Sequence, residues 1–222
     1  MQKNIKIALD GPSGSWKSTI AKRLSKELDI LYLDTGAMYR ATALKALKTG
    51  IAPKDERSVS QFIDKLDLKI KYENGSQQTY LDGENVSDKI REPQVSMAAS
   101  DISSLKCVRL KMVEMQRKIA SETSCVLDGR DIGSYVLPDA DYKFYITAGV
   151  DVRAQRRYKE LKEKGFDVDF DKLQKEIEER DYNDSHREFS PLVKAKDAIE
   201  IDTSNLDVEG VISAVMSYIK KR

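Results

Sequence analysis

Gly11-Pro12-Ser13-Gly14-Ser15-Trp16-Lys17-Ser18-Thr19 follows an apolar run, Ile5-Lys6-Ile7-Ala8-Leu9, and opens a helical pattern in which Ile20, Leu24 and Leu28 recur. Lys22, Arg23 and Lys26 fall between those apolar residues. A short β-branched run, a glycine-rich turn and an amphipathic stretch predict strand, loop and helix in succession. That arrangement aims a helix N-terminus, the positive end of its dipole, at an anion. The stretch matches the phosphate-binding loop G-x-x-x-x-G-K-[ST] at all but one position. In such a loop backbone N–H groups surround phosphate oxygens, the lysine reaches the outer phosphates, and the following hydroxyl ligates Mg²⁺. Gly11, Lys17 and Ser18 are in register, whereas Trp16 stands where the second glycine belongs. The segment predicts a handler of nucleoside triphosphates. Its tryptophan asks how well it holds them.

Working outward, further short apolar runs read as strands: Ile30 to Leu33, Cys125 to Leu127, Tyr142 to Ile146 and Ala198 to Ile201. Between them, helical patterns cover Ala37 to Leu47, Val108 to Ile119, Val150 to Lys164, Phe170 to Asp181 and Val208 to Ile219. Five strands alternating with helices predict an α/β fold, a five-stranded parallel sheet with helices on both faces. Ligands then gather at the carboxyl ends of the strands. The stretch Leu68 to Glu84 breaks the rhythm. Leu68-Lys69-Ile70-Lys71-Tyr72 alternates, Asn74-Gly75 supplies turn chemistry, and Thr79-Tyr80-Leu81 starts a second strand, so an antiparallel insertion is expected. Gly165 to Asp169 reads as a mobile loop between two polar helices.

Composition narrows the classes. The chain has 222 residues and a formal charge of +1, which argues against a general nucleic-acid or membrane-surface binder. No apolar run approaches the ~20 residues of a membrane span. Met1-Gln2-Lys3 leads straight into the first strand, so no signal peptide is expected. Cys107 and Cys125 are isolated and lack metal-ligand spacing, as expected of reduced thiols in a cytoplasmic protein. His186, the sole histidine, lies in a polar run and reads as a surface residue.

Four further segments carry charge where a phosphate loop would use it. Asp34-Thr35-Gly36-Ala37-Met38-Tyr39-Arg40 follows the second strand; taken alone it is a capped helix start. Asp128-Gly129-Arg130-Asp131 follows the Cys125–Leu127 strand. An acid at a strand end suits Mg²⁺ support and Arg130 suits bidentate phosphate binding, although a turn with a surface ion pair would look the same. From Arg153 to Lys164 there are six basic and two acidic residues, with Arg153 and Arg157 on one helical face. Arg180, Asp184 and Arg187 share a face if their helix continues through them. Phosphoryl transfer needs cations around the migrating group more than it needs a base.

Together D-G-P-S-G-S-x-K-S-T, D-T-G-A-M-Y-R, the A-A-S of Ala98 to Ser100, D-G-R-D, A-Q-R-R-Y and E-R-D-x-x-D-x-x-R make the chain resemble the bacterial cytidylate kinases, P-loop nucleoside monophosphate kinases. The resemblance runs in order along nearly the whole chain. It implies transfer of the ATP γ-phosphoryl group to CMP, and dCMP, by a cytoplasmic monomer that binds neither nucleic acid nor membrane. It also implies a core of residues 1–35, 101–150 and 190–222, a monophosphate-binding lobe with the insertion at 36–100, and a small helical lid region at 151–189. Gly11 to Thr19 would cradle ATP, with Ser18, and Asp128 through water, supporting Mg²⁺. Carried over, Thr35, Tyr39, Arg40, Ser100, Arg109, Arg130, Asp131, Arg180, Asp184 and Arg187 would surround the monophosphate. Within that set Arg40, Arg130 and Arg187 would take its phosphate, Arg180 and Asp184 its sugar, and Ser100, Arg109 and Asp131 its cytosine. The exocyclic amine of cytosine is a donor, and a carboxylate is its natural acceptor. Lys17, Arg130, Arg153, Arg157 and Arg180 would serve the transfer itself, with Arg156 in the same lid.

Trp16 departs from the family pattern. Glycine there normally has φ above zero, so a side chain costs roughly 1–2 kcal/mol in backbone energy. Weaker ATP binding with largely intact CMP binding is the expectation. Another small P-loop kinase, such as adenylate or shikimate kinase, and a non-catalytic nucleotide-binding module remain as alternatives.

Overall fold

The computed structural model describes residues 4–73 and 75–220. Asn74 of the expected turn and the leader Met1 to Lys3 lie outside that range. The expected strands appear at Lys6–Asp10 (β1), Leu31–Asp34 (β2), Cys125–Gly129 (β6), Tyr142–Thr147 (β7) and Ile199–Asp202 (β8). They form one sheet in the order β2-β6-β1-β7-β8. Parallel pairing joins β1 to β6 and β7, and β7 to β8. Such strands are buried and read as nearly continuous apolar runs. Ile7, Ala8 and Leu9 of β1 and Cys125, Val126 and Leu127 of β6 are fully buried.

Register places the functional ends together. In the β1–β6 ladder Leu9 lies opposite Asp128 and Asp10 opposite Gly129. The chain therefore leaves both strands at the same level, into Gly11 on one side and Arg130 on the other. The helix Lys17–Leu28 (α1) follows the first of these exits. A single π-helical turn, Ile132–Val136, follows the second.

The described residues divide into two compact units. One ends at Leu31 and resumes at Ser124; the other is Tyr32–Thr123. The second holds the helices Thr35–Lys48 (α2), Glu56–Ile63 (α3), Pro93–Ile102 (α4) and Lys106–Glu122 (α5). It also holds the antiparallel insertion, Leu68–Glu73 (β3), Ser76–Leu81 (β4) and the two-residue strand Glu84–Asn85 (β5), ordered β3-β4-β5. The insertion is fastened to the start of α2: Tyr72 Oη donates to Tyr32 O, and Gln77 Oε1 accepts from the Asp34 N–H. In the first unit, Val150–Glu163 (α6) and Phe170–His186 (α7) pack through Ala154, Leu161, Leu173 and Ile177, with Tyr158 edge-on to Phe170. The last helix, Val208–Ile219 (α8), packs against α1. Two helices, α3 and α4, were not among the expected elements. Helix α7 continues past Asp181 to His186, which satisfies the condition for Arg180 and Asp184 to share a face; Arg187 does not join them on it, because it follows the helix as an extended cap residue.

Candidate active site

The phosphate loop is held by its backbone. Gly11 has φ 143°, and a Cβ there would lie 2.0 Å from Ile146 O, so only glycine passes β7 at this height. Trp16 takes φ 68° and ψ 9° as the residue capping α1, the left-handed conformation that glycine would adopt. Its carbonyl still accepts from the Ile20 N–H at 2.9 Å and so starts the helix. The indole is carried away from the loop onto α6, where the Arg156 guanidinium carbon lies 3.3 Å from the ring centroid. Arg156 is itself fixed by Thr203, donating to Oγ1 at 2.9 Å and to O at 2.7 Å. A cation on an indole face is worth about 0.5–2 kcal/mol, comparable with the backbone penalty. The tryptophan thus keeps a glycine-like backbone conformation and seats its bulk on a neighbouring helix.

Lys17 is buried within the loop, donating to Pro12 O at 2.5 Å and Ser15 Oγ at 3.2 Å. Burial holds its ammonium pKa well below the usual lysine range, and Arg130 pushes in the same direction. Asp128 and Asp10 oppose the fall, while Arg180 adds to it. Asp10, Asp128, Arg130 and Arg180 thus all act electrostatically on this lysine. Ser18 Oγ donates to Asp128 Oδ2 at 2.6 Å, pairing a hydroxyl with a buried carboxylate beside the loop. Hard oxygen donors of this kind suit Mg²⁺, which keeps waters and takes phosphate oxygens instead of an all-protein cage. Among the described residues no group of three His, Cys, Asp or Glu side chains is placed to hold a metal.

Beside Lys17 stands a cluster of arginines neutralised by buried acids. Arg130 Nε donates to Asp184 Oδ2 at 2.8 Å. Against burial, which opposes its charge, Asp184, Asp181 and Asp128 raise the Arg130 pKa. Asp184 is also buried, yet Arg130, Arg180 and Arg187 hold its carboxyl below the ordinary range. Arg187 caps α7, donates through Nε to Ser190 O at 2.6 Å and lies 3.6 Å from Asp184 and 3.8 Å from Asp131. Asp131 is buried and accepts from Ser190 Oγ at 2.5 Å. Arg153 is buried, pairs with Asp181 at 2.6 Å and donates to Ser13 O at 3.1 Å, gripping the phosphate loop from outside. Arg157 pairs with Glu160 one turn along α6 at 2.8 Å. His186 stacks on Tyr182 and is exposed.

Within Tyr32–Thr123, Asp34 caps α2 by accepting from the Ala37 N–H at 2.9 Å and holds Arg40 at 2.8 Å. A Cβ on Gly36 would meet Arg40 Nη1 at 3.0 Å, so that glycine clears the guanidinium's path. Thr35 is buried in the first turn of α2. Arg109 is fully buried on α5, lies 5.4 Å from the Tyr39 ring centroid and donates to Ser103 O at 3.2 Å. Ser103 in turn donates to the carbonyl of Ser100 on α4 at 2.9 Å.

Comparison with known proteins decides the family. A profile described as "Cytidylate kinase" matches residues 7–221. The chain belongs to the cytidylate kinase family. A cytidylate kinase of Caldicellulosiruptor bescii is 48% identical over 219 residues, covering 99% of this chain and 97% of that one. A cytidylate kinase of Clostridioides difficile is 50% identical over 216 residues, covering 97% and 98%. Among solved structures, a shikimate kinase from Bacteroides thetaiotaomicron superposes with a TM-score of 0.51 at 11% identity, covering 97% of this chain and 98% of that one, a likeness of fold alone.

Several residues of this cytidylate kinase site were not singled out from the sequence. Asp181 and Ser190 are polar letters in polar runs, and nothing local marks them as partners of Arg153 and Asp131. Asp10 did carry a signal. It is a carboxylate closing an apolar strand immediately before the phosphate loop, where a buried charge needs a partner.

Proposed function

We propose that this enzyme transfers the γ-phosphoryl group of ATP to CMP, and to dCMP, giving ADP and the nucleoside diphosphate. The observation that carries the reading is the phosphate loop itself, with Lys17 buried in it and Ser18 Oγ bonded to Asp128, two residues before the Arg130 that pairs with Asp184. An oxygen of the CMP phosphate attacks the γ-phosphorus, that bond forms as the bond to the β,γ-bridging oxygen breaks, and ADP departs. Charge moves between phosphate oxygens throughout, so cations placed around them lower the barrier. Lys17 serves the β- and γ-phosphates, Arg130 and Arg187 serve the phosphate that receives, and Arg180 serves both the sugar, with Asp184, and the transferring group. Ser18, and Asp128 through water, would hold Mg²⁺, which when bound neutralises the β- and γ-phosphate oxygens.

Asp131 accepts from the cytosine N4 amine in this reading. UMP would present a carbonyl oxygen there and leave two acceptors face to face, which a site built for the bond rejects strongly. Thr35, Tyr39, Arg40, Ser100 and Arg109 are assigned to the same nucleotide on the family likeness. Residues 36–100 then form the CMP lobe and 151–189 the lid, with Arg153, Arg156 and Arg157 on its first helix. A lid protects the donor from transfer to water. A cytoplasmic, monomeric enzyme completes the reading, supported as to compartment by two unbridged cysteines and tested as to assembly by sedimentation.

The decisive assay is ADP release from ATP with CMP, dCMP, UMP, AMP or shikimate as acceptor, with and without Mg²⁺. Turnover that depends on CMP and Mg²⁺ is expected. Turnover with AMP or shikimate but none with CMP would overturn the assignment.

A further inference from the structure

Asp10 ends β1 and is buried with 4% of its surface exposed. Its two carboxylate oxygens are both spoken for. Oδ1 accepts the Ile132 N–H at 2.7 Å and Oδ2 accepts the Gly133 N–H at 2.7 Å. Those are the first two amides of the π-helical turn Ile132–Val136, whose opening carbonyl belongs to Asp131: Tyr135 N–H and Val136 N–H both donate to Asp131 O. The same carboxylate sits one residue before Gly11. A single side chain thereby joins the start of the phosphate loop to the backbone that carries Arg130 and Asp131.

Two details show how closely the joint is fitted. A Cβ on Gly133 would lie 3.3 Å from Asp10 Oδ2 and 3.1 Å from Lys143 Cδ, so the turn has room for glycine and little more. Asp131, one residue before the bonded amides, has its own carboxylate directed by Ser190 and Arg187. Backbone from one side and side chains from the other fix this acid in place.

We propose that Asp10 is a positioning residue for base recognition: by pinning the Ile132 and Gly133 amides it sets where the Asp131 carboxylate stands relative to the phosphate loop. The inference rests on the assignment of Asp131 to cytosine. Asp10 touches neither nucleotide in this scheme; it acts through the turn. An ionised carboxylate, the form that prevails above about pH 7, is needed because two converging N–H groups require two acceptors, so the comparison below is made at pH 8 or higher. An amide offers only one and turns a donor toward the second N–H.

The test is Asp10→Asn, with steady-state constants measured separately for CMP, UMP and ATP. KM for CMP is expected to rise about tenfold and the preference for CMP over UMP to fall by a similar factor, the scale of one buried bond replaced by a clash. KM for ATP should change clearly less than KM for CMP, since Asp10 bears on the donor site only through its charge near Lys17. A merely structural role would lower the melting temperature and move all three constants together, or none; either result overturns the proposal. Should the variant not fold, amide hydrogen exchange on the unaltered, ligand-free protein decides. Ile132 and Gly133 protected like β1 supports the proposal, and exchange at the rate of exposed loop amides overturns it. Unaltered protein that neither turns over nor binds CMP removes the functional reading and this role with it. Normal CMP turnover beside an indifferent Asp10→Asn removes this role alone.

Discussion

The phosphate loop and the arginine cluster stand side by side at the carboxyl ends of β1 and β6, yet they are built on opposite plans. The loop works through backbone: Gly11 slips under β7, Trp16 keeps a glycine-like conformation, and side chains matter mainly at Lys17 and Ser18. The cluster works through side chains, with Arg130, Arg187 and Arg153 each matched to a carboxylate that is buried or nearly so. A backbone device tolerates a foreign side chain if that chain can point away. A device of paired charges does not tolerate the loss of one member, because the partner is left charged in a poor solvent. Trp16 is a demonstration of the first half of that contrast.

The second half should yield the largest effects. Arg180→Ala, which takes away a cation within electrostatic reach of both Lys17 and Asp184, is expected to lower turnover by about 10³-fold with the fold retained. Near-normal ADP release with CMP would break the comparison outright. Arg130→Met strips Asp184 of its bonded partner and should cost about 3–5 kcal/mol of stability, read by denaturant unfolding. A loss below about 1 kcal/mol would mean the cluster is more forgiving than its burial implies.

On the loop side the changes should be gentler. Trp16→Gly removes the indole and lets the loop settle on the phosphates without left-handed strain, and is expected to raise kcat/KM for ATP by less than about tenfold, with CMP constants unchanged. No improvement would mean that the indole is harmless where it lies. Asp10 belongs to the joint between the two devices and should show itself through pH. Burial lifts its carboxyl from 3.8 to about 7 despite the two N–H bonds, with Asp131 adding to the rise and Lys17 opposing it. Folded protein therefore holds this proton over a range where the unfolded chain has lost it. The resulting stabilisation is full below pH 4 and disappears as pH climbs through about 7. The unfolding free energy of unaltered protein should fall relative to Asp10→Asn between those limits; a constant difference would contradict the shift. Smallest of all, burial pushes the Cys125 thiol up to about 11, so at neutral pH it should react with a thiol reagent far more slowly than a free cysteine in the unfolded chain.

Much of this contrast was legible in the residues, and the illegible part has physical reasons. The five strands were placed to within about two residues because a doubly covered parallel sheet writes itself as short apolar runs. Helix α8 fell at Val208–Ile219 as read, since Val211, Ile212 and Val215 recur at helical spacing and Asp207 caps the start. Helix α3 was missed because it is only eight residues long, although Asp55 caps it at Ser58. Helix α4 was missed despite Pro93 at its first turn and Val95, Ala98, Ala99 and Ile102 along its buried face. The phosphate loop could be read because its geometry is local. The Arg130–Asp184, Arg153–Asp181 and Trp16–Arg156 pairs could not, since each joins residues brought close only by the fold.

The Trp16 stack has one more consequence. This indole is the chain's sole tryptophan, and it rests against a guanidinium carried by α6. Light absorbed selectively by tryptophan therefore reports on a single ring with the Arg156 guanidinium on its face. Any swing of α6 away from the loop changes the colour and yield of that emission, so the protein carries its own unlabelled gauge of opening and closing in the spot where a glycine would have left it dark.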